Sequence, residues 1–309
     1  MNIVLLDRAS LGDASLAPLE QLGRLTVYGD TAAGEVVERC RDADIIVCNK
    51  VKITAHIMDA LPKLRLICIT ATGTNNVELE YAAQKNIGVK NVAGYSTASV
   101  AQVTFALLLS LMHSTAYFDA YVKGGQYAQS HLFTHYGRAF YELAGKRFGV
   151  IGMGNIGRRV AAIAEAFGAS VAYYSTSGQN LSAPYPLLPL NDLLQTSDVV
   201  SIHAPLNRNT YNLIGYPQLQ RMKPSAYLVN AGRGKIVNEA ELARALNENL
   251  IAGAALDVFE HEPINPDNPL LSLSNPEKLM LSPHIGWLSA EARKTLVEKV
   301  AENILSIRN

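Results

Sequence analysis

Short apolar runs alternate with amphipathic segments along the whole chain. Apolar runs of four or five residues bounded by turn formers are typical of buried strands, and apolar positions three and four apart are typical of helices. The alternation predicts parallel sheets covered by helices. The predicted strands are 3–6, 25–28, 45–48, 66–70, 88–91, 148–151, 170–174, 199–203, 227–230, 253–257 and 279–282. Two proline-containing stretches are predicted loops, 177–189 and 262–276.

Two apolar helical segments predict how these strands divide. Segment 96–112 separates the first five strands from the last six, so it is expected to lead from one sheet to the other. Segment 290–307 is expected to return to the first group of strands. The prediction is an α/β protein with two doubly wound parallel-sheet domains, 1–97 with 288–309 and 98–287.

Composition narrows the function classes. A chain of 309 residues is long enough for two cores, and 27 basic residues balance 27 acidic ones, which argues against a nucleic-acid partner. The longest strongly apolar run, 105–112, is too short to cross a bilayer. Three cysteines, Cys40, Cys48 and Cys68, lack CxxC spacing and are expected to be reduced thiols of a cytoplasmic protein, with no metal site.

A glycine motif follows the sixth strand. Gly152, Gly154 and Gly157 have GxGxxG spacing between strand 148–151 and an alanine-rich helix that begins near Asn155. The first glycine permits the tight turn, the second lets the backbone approach a pyrophosphate, and the third allows close packing of helix on strand. The helix N-terminus then binds the pyrophosphate. The motif with these flanks predicts a dinucleotide site.

The acidic residue that usually binds the ribose of NAD is absent from its expected place. The expected position is near Ser175, and no charged residue occurs between Glu165 and Asp192. Without a carboxylate there is no repulsion against a 2′-phosphate, and the hydroxyls of Ser175, Thr176 and Ser177 suit either nucleotide. No arginine in this segment favours NADP, so the choice between NAD and NADP stays open.

Three chemically informative side chains follow strands of the second group. Arg233 follows strand 227–230, Glu262 follows 253–257, and His284 follows 279–282. Each alone fits a structural role, as an ion pair, a solvated loop residue or a buried histidine. Ligands of open α/β sheets bind beyond the carboxyl ends of the strands, so the three together predict an acid/base site.

The same segments resemble a known family over nearly the whole chain. The chain is similar to D-isomer-specific 2-hydroxyacid dehydrogenases. The resemblance rests on ELAGKRFGVIGMGNIGRRVA at 142–161, VNAGRGKIVNEAELARAL at 229–246, AGAALDVFEHEP at 252–263 and SPHIGW at 282–287. The N-terminal pieces CNKVKIT, ATGTNNVE and NVAGYSTASVAQVTFALLL resemble a branch often labelled glycerate dehydrogenase or hydroxypyruvate reductase. The resemblance implies reduction of a short 2-oxo acid, such as hydroxypyruvate or glyoxylate, to a D-2-hydroxy acid such as D-glycerate. It also implies that 1–97 with 288–309 is a flavodoxin-like substrate domain and that 98–287 is a Rossmann-type dinucleotide-binding domain.

The family mechanism assigns complementary roles to the three side chains. His284 would donate a proton to the substrate oxygen, and Glu262 would accept a hydrogen bond from the other ring nitrogen, since a nearby carboxylate favours imidazolium. Arg233 would bind the substrate carboxylate through its planar guanidinium. Lys50, Thr72, Gly73 and Thr74 are implied on the substrate side. Thr74 stands where the branch often has an aromatic residue, which affects the size of the substrate.

The resemblance also implies a set of cofactor contacts. Asp257 is expected to accept from the carboxamide, although it could instead cap the turn that follows its strand. The remaining implied contacts are Thr72 and Thr104 near the nicotinamide, Gly152, Gly154, Asn155, Ile156 and Gly157 at the pyrophosphate, Ser175 at the ribose, Ala204 and Pro205 beside the adenosine, and Ala231 and Gly286 against the nicotinamide ring.

The segment 100–141 is apolar and aromatic enough to bury against a second subunit, so a homodimer is expected, as in the family. The alternative is that this segment packs within its own chain.

Two other functions remain as alternatives: a dehydrogenase of formate or phosphite, and a protein of the same fold that senses nicotinamide cofactor. The intact Arg233, Glu262 and His284 favour chemistry over sensing.

Overall fold

The computed structural model describes residues 1–181 and 183–307. The chain divides into two compact units, unit 1 from Met1–Ser96 and Leu288–Asn309, and unit 2 from Thr97–Trp287. The strands are β1 Asn2–Leu5, β2 Arg24–Val27, β3 Ile45–Cys48, β4 Leu66–Ile69, β5 Gly88–Lys90, β6 Arg147–Ile151, β7 Ser170–Tyr174, β8 Val199–Ile202, β9 Tyr227–Asn230, β10 Gly253–Leu256 and β11 Leu279–Leu281. The helices are α1 Ala17–Glu20, α2 Val36–Cys40, α3 Ala55–Asp59, α4 Leu79–Gln84, α5 Thr97–Met112, α6 Thr115–Lys123, α7 Asn155–Ala166, α8 Leu190–Thr196, α9 Tyr216–Leu219, α10 Glu239–Asn247 and α11 Ala290–Leu305.

Unit 1 contains a five-stranded parallel sheet in the order β2-β1-β3-β4-β5. This is the flavodoxin-like order that the sequence predicts. Strands β3 and β4 are buried at every position, because helices cover both faces of a doubly wound sheet and leave no polar side of the strand. The C-terminal helix α11 packs on α1 and β4 within this unit.

Unit 2 contains a six-stranded parallel sheet in the order β11-β10-β9-β8-β6-β7. Beyond β7, Tyr173 forms a parallel bridge with Leu187. The backbone N–H of Tyr173 donates to Pro186 O at 2.9 Å, and the N–H of Leu188 donates to Tyr173 O at 2.9 Å. Counting this bridge as a minimal third strand of the unit gives the Rossmann order, with the strand order reversing between β6 and β8.

The predicted strands and the two long helices are confirmed, with ends that differ by one or two residues. The loop predicted at 177–189 contains the bridge at Leu187; its prolines lack the N–H groups that a longer strand requires. The predicted loop 262–276 contains a short 3₁₀ turn at Pro269–Ser272. Helix α6 lies within the segment 100–141, for which the sequence predicts no separate second helix. No residue of α6 is buried.

In the part of the chain that the structure describes, no single helix is long and apolar enough to cross a membrane. Only α5 and α6 taken together are long and apolar enough, and the two helices are bent by 63° at their junction. Helix α5 packs against α7 and against β9, β10 and β11 of unit 2.

Candidate active site

The loops that carry the predicted chemistry leave the same edge of the six-stranded sheet. All strands of this sheet are parallel, so the carboxyl ends of β6, β9, β10 and β11 lie on one side. The glycine turn follows β6. Arg233, Glu262 and His284 follow the adjacent strands β9, β10 and β11. Topology therefore brings to one edge the three side chains that lie far apart in sequence.

His284 and Glu262 form a direct pair. Nδ1 of His284 lies 2.7 Å from Oε2 of Glu262, and the two side chains are 25% and 33% exposed. The other carboxylate oxygen, Oε1, accepts from the backbone N–H of Phe259 at 3.1 Å. Because Nδ1 faces the carboxylate, Nε2 is the ring nitrogen that can face a substrate. A carboxylate at Nδ1 fixes the ring orientation, which suits proton transfer at Nε2.

The backbone that carries His284 is held by Asp257. The Asp257 side chain is 2% exposed, and its oxygens accept from Ser282 Oγ at 2.6 Å, Ile285 N at 2.9 Å and Gly286 N at 2.8 Å. His284 itself has a φ of 54°, in the left-handed region that costs a non-glycine residue energy. The carboxylate thus does what the alternative prediction stated, which is to cap the turn after its strand. The contact of Asp257 with a carboxamide stays a prediction.

Arg233 lies on a loop that is fixed on both sides. Its backbone oxygen accepts from Nδ2 of Asn230 at 2.9 Å, and its Nη1 donates to Gly232 O at 2.8 Å. The next residue, Gly234, has no room for a side chain: a Cβ there would lie 1.7 Å from the backbone oxygen of Phe259. The loop after β9 therefore packs directly on the loop after β10, while the Arg233 side chain is exposed.

The three motif glycines meet different surroundings. A Cβ on Gly157 would lie 2.1 Å from Gly152 O, and a Cβ on Gly152, whose φ is +94°, would lie 2.9 Å from Ala204 N. At Gly154 a Cβ would meet nothing within 4 Å. The first and third glycines are thus required by the fold. The second lies against open space at the start of α7, where backbone N–H groups and the helix dipole favour an anion.

Two buried polar atoms on either side of the glycine turn have no partner among the described residues. They are Oγ of Ser175, directly after β7, and Nδ1 of His203, directly after β8. Burial lowers the pKa of His203 to about 3, so its ring is neutral at physiological pH. Unpaired buried polar atoms are costly unless a ligand satisfies them. Together with the space at Gly154, these residues fit a dinucleotide at the edge where the strand order reverses.

The other predicted cofactor residues lie on unit 2, apart from Thr72. Thr104 is fully buried in α5, and its hydroxyl donates to Val100 O at 2.8 Å, so packing alone accounts for its position. Its cofactor contact stays a prediction. Asn155 is exposed and Ile156 is half-buried at the first turn of α7. After β8 and β9, Ala204 and Ala231 are buried and Pro205 is exposed. A Cβ added to Gly286 would lie 2.7 Å from Asp257 Oδ2.

The predicted substrate residues Lys50, Thr72, Gly73 and Thr74 belong to unit 1. Lys50 is exposed after β3, and its backbone N–H donates to the buried Asp7 at 2.8 Å. Oγ1 of Thr72 donates to Val92 O at 3.1 Å. These contacts fix the loops after β3 and β4, and the substrate roles of the four residues stay predictions.

Sequence reasoning missed three residues that shape the site: Asn230, Gly234 and Glu239. A signal existed for the first two, because both occur in the NAGRG segment, 230–234, which begins at the last residue of β9. Glu239, the first residue of α10, is 4% exposed and contacts the loop of Glu262. No group of three His, Cys, Asp or Glu side chains suited to a metal ion occurs in 1–181 or 183–307.

Comparisons with known proteins agree with this geometry. Residues 105–286 match the family model described as D-isomer specific 2-hydroxyacid dehydrogenase, NAD binding domain. The chain is 36% identical over 313 residues to a hydroxypyruvate reductase from Blautia hydrogenotrophica, covering 98% of this chain and 96% of that protein.

Two solved structures are similar over the full chain. A D-lactate dehydrogenase from Aquifex aeolicus, complexed with NAD and lactic acid, gives a TM-score of 0.85 at 26% identity, covering 100% of this chain and 95% of the other. An NADPH-dependent glyoxylate/hydroxypyruvate reductase from Sinorhizobium meliloti, in complex with NADP and malonate, gives 0.83 at 28% identity, covering 100% and 93%.

Proposed function

The chain belongs to the D-isomer-specific 2-hydroxyacid dehydrogenase family, and we propose that it reduces short 2-oxo acids, with hydroxypyruvate and glyoxylate first among them, to D-2-hydroxy acids such as D-glycerate. It is an NAD(P)-dependent oxidoreductase of the glycerate dehydrogenase type. The observation that carries the proposal is the 2.7 Å contact between His284, which follows β11, and Glu262, which follows β10, beside the strand β9 that Arg233 follows.

His284 acts as the general acid in the proposed reduction. The nicotinamide, when bound, supplies the hydride that the carbonyl carbon accepts. As negative charge develops on the substrate oxygen, Nε2 of His284 donates its proton to that oxygen, and it removes the proton in the reverse direction. Glu262 holds Nδ1 and so keeps Nε2 directed toward that oxygen. Arg233 stays cationic throughout and binds the substrate carboxylate.

The remaining predicted residues complete the proposal. Unit 2 is the dinucleotide-binding domain and unit 1 the substrate domain. On unit 1, Lys50, Thr72, Gly73 and Thr74 bind the substrate, and the backbone N–H groups of the Thr72–Thr74 loop suit its carboxylate. On unit 2, the segments after β6, β7, β8 and β9 bind the cofactor.

Both nicotinamide cofactors suit this chain. The uncharged segment that follows β7 places no carboxylate against a 2′-phosphate and no cation beside it. The family includes members whose structures contain NAD and members whose structures contain NADP. The protein therefore uses NADH or NADPH, with a smaller preference between them than a carboxylate at Ser175 would impose.

Initial-rate assays test the proposed function. NADH and NADPH oxidation would be followed separately with hydroxypyruvate, glyoxylate and pyruvate. We expect turnover with at least one of the first two acids, with kcat on the order of 1–1000 per second. Tight cofactor binding without turnover of any acid would overturn the proposal and favour a cofactor sensor. Turnover of formate or phosphite alone would place the protein in another class of dehydrogenase.

We further propose that the protein is a homodimer. Aromatic and aliphatic side chains of segment 127–141 are unusually exposed in the single chain. They include Leu132, Phe133, Tyr136, Phe140 and Tyr141, of which Phe133 is 90% exposed. A cluster of this kind on a monomer marks an association surface. Sedimentation equilibrium should give the mass of two chains, and the double variant F133E/Y136E should give that of one; a wild-type monomer at micromolar concentration would contradict the proposal.

A cytoplasmic setting is part of the same proposal. Cys40, Cys48 and Cys68 are buried free thiols. Burial raises the pKa of Cys40 and of Cys68 to about 12, so these side chains stay protonated and unreactive. Three buried thiols that form no disulfide suit a reducing compartment.

A further inference from the structure

One buried carboxylate lies beside the active-site loop and has no place in the reaction described above. Glu239 begins α10, and its side chain is 4% exposed. Oε1 accepts from the backbone N–H of Glu260 at 2.5 Å, and Oε2 accepts from Nδ2 of Asn268. Both partners belong to the loop 258–268, which carries Glu262. The carboxylate thus joins the start of a helix to both ends of the catalytic loop.

The contact runs in both directions. Oε1 of Glu260 accepts from the backbone N–H of Glu239 at 3.3 Å, so the two glutamates bind each other's backbone. Such reciprocal bonds fix a loop more firmly than a single contact, because each restrains a different side chain and a different peptide. Burial raises the pKa of Glu239, and the hydrogen bonds from Asn268 and Glu260 oppose that rise. Burying a carboxylate costs free energy, so the two hydrogen bonds donated to Glu239 indicate a specific structural role.

The task follows from two neighbouring N–H groups. The N–H of Glu260 binds Glu239, and the preceding N–H, of Phe259, binds Oε1 of Glu262. Oε2 of Glu262 then holds His284. Moving the 259–260 backbone would therefore move the carboxylate that orients the histidine. The space around this backbone is tight, because Gly234 packs against Phe259 O.

We propose that Glu239 is a positioning residue for the Glu262–His284 pair: it fixes the peptide between Phe259 and Glu260 and so sets the distance from Glu262 to the imidazole. It touches neither substrate nor cofactor and acts only through the loop. The inference rests on the proposed function, since it requires Glu262 and His284 to perform proton transfer.

The variant E239Q tests this inference. Glutamine has nearly the size of glutamate but only one acceptor oxygen, so it cannot accept from both Glu260 N–H and Asn268 Nδ2. We expect kcat for 2-oxo acid reduction to fall roughly tenfold, since small displacements of catalytic groups are costly. The Kd of the cofactor should stay unchanged. The KM for the 2-oxo acid should change less than kcat, because Glu239 touches no substrate.

The matched control is E241Q, in the same turn of α10. The Glu241 carboxylate also accepts a backbone N–H, that of Tyr216, which begins α9, a helix without candidate catalytic residues. E241Q should lower the melting temperature as E239Q does but leave kcat at the wild-type value. The double variant E239Q/N268D should restore kcat to within about threefold of wild type, because the new carboxylate accepts from the glutamine amide and frees the glutamine oxygen for Glu260 N–H.

The outcomes separate the inference from the proposed function. An E239Q variant that loses stability while keeping the wild-type kcat would overturn the positioning role. So would a fall in kcat with no recovery in E239Q/N268D, because that pattern indicates general damage to the fold. Unchanged turnover in H284A would instead contradict the proposed chemistry, whatever E239Q does.

Discussion

Replacing His284 with alanine is expected to lower kcat for hydroxypyruvate or glyoxylate reduction about a thousandfold, within the range usual for loss of a general acid. The imidazole can carry a transferable proton and is held by a carboxylate, at 2.7 Å from Glu262. Alanine leaves the developing charge on the substrate oxygen without a donor. Steady-state NADH or NADPH oxidation at saturating substrate measures the effect.

A second histidine gives the matched control for this result. His261 is exposed on the loop after β10, one residue before Glu262. H261A should keep kcat within about twofold of wild type, since the exposed His261 side chain forms neither of the hydrogen bonds that link Glu262 to Phe259 and His284. Cofactor affinity, measured by fluorescence titration, should be the same in H284A and wild type. If H284A retained more than a tenth of the wild-type kcat, another group would have to donate the proton.

The sequence predicts which residues form the site, because residues that follow the strands of a parallel sheet lie at one edge of it. Buried parallel strands appear as continuous apolar runs, so their carboxyl ends are readable, and Arg233, Glu262 and His284 each follow one. The ends of parallel strands share an edge of the sheet. Nothing more is required to predict that these three residues and the glycine turn after β6 lie along one edge of the sheet.

What the sequence does not predict depends on contacts between loops. A side chain on Gly234 would collide with Phe259 O. This contact depends on the paths of two loops, and loops have no periodic sequence pattern from which their paths could be predicted. In the sequence, Glu239 resembles any acidic residue in the first turn of a helix. The helix dipole stabilises such a residue whether or not its side chain is buried. The third strand of unit 2 is reduced to the bridge at Leu187, because prolines around it interrupt the pairing pattern on which strand prediction depends.

The variant R233K is expected to lower kcat/KM for 2-oxo acids roughly a hundredfold, although it keeps the charge. Arginine presents two parallel N–H groups to a carboxylate, whereas lysine offers a single point charge. The loop leaves lysine little freedom to adapt, since Asn230 Nδ2 holds the backbone oxygen of residue 233 and Gly234 packs on Phe259. The loss should appear in both KM and kcat, because a substrate carboxylate held by one bond tilts its carbonyl away from His284. Initial rates across a range of substrate concentrations separate the two terms.

The control for this change is R159K, an exposed arginine on α7, where the same substitution should leave kcat/KM within about twofold of wild type. R233A with added guanidinium supplies a second comparison: the free ion can occupy the vacated space, so activity should rise with its concentration, whereas added ammonium should have little effect. A hundredfold loss that guanidinium partly restores would assign the effect to the planar donor pair. If R233K kept more than a third of the wild-type kcat/KM, charge alone would suffice at this position, and the substrate carboxylate would have to take its orientation from other donors, for which the N–H groups of Thr72–Thr74 are the first candidates.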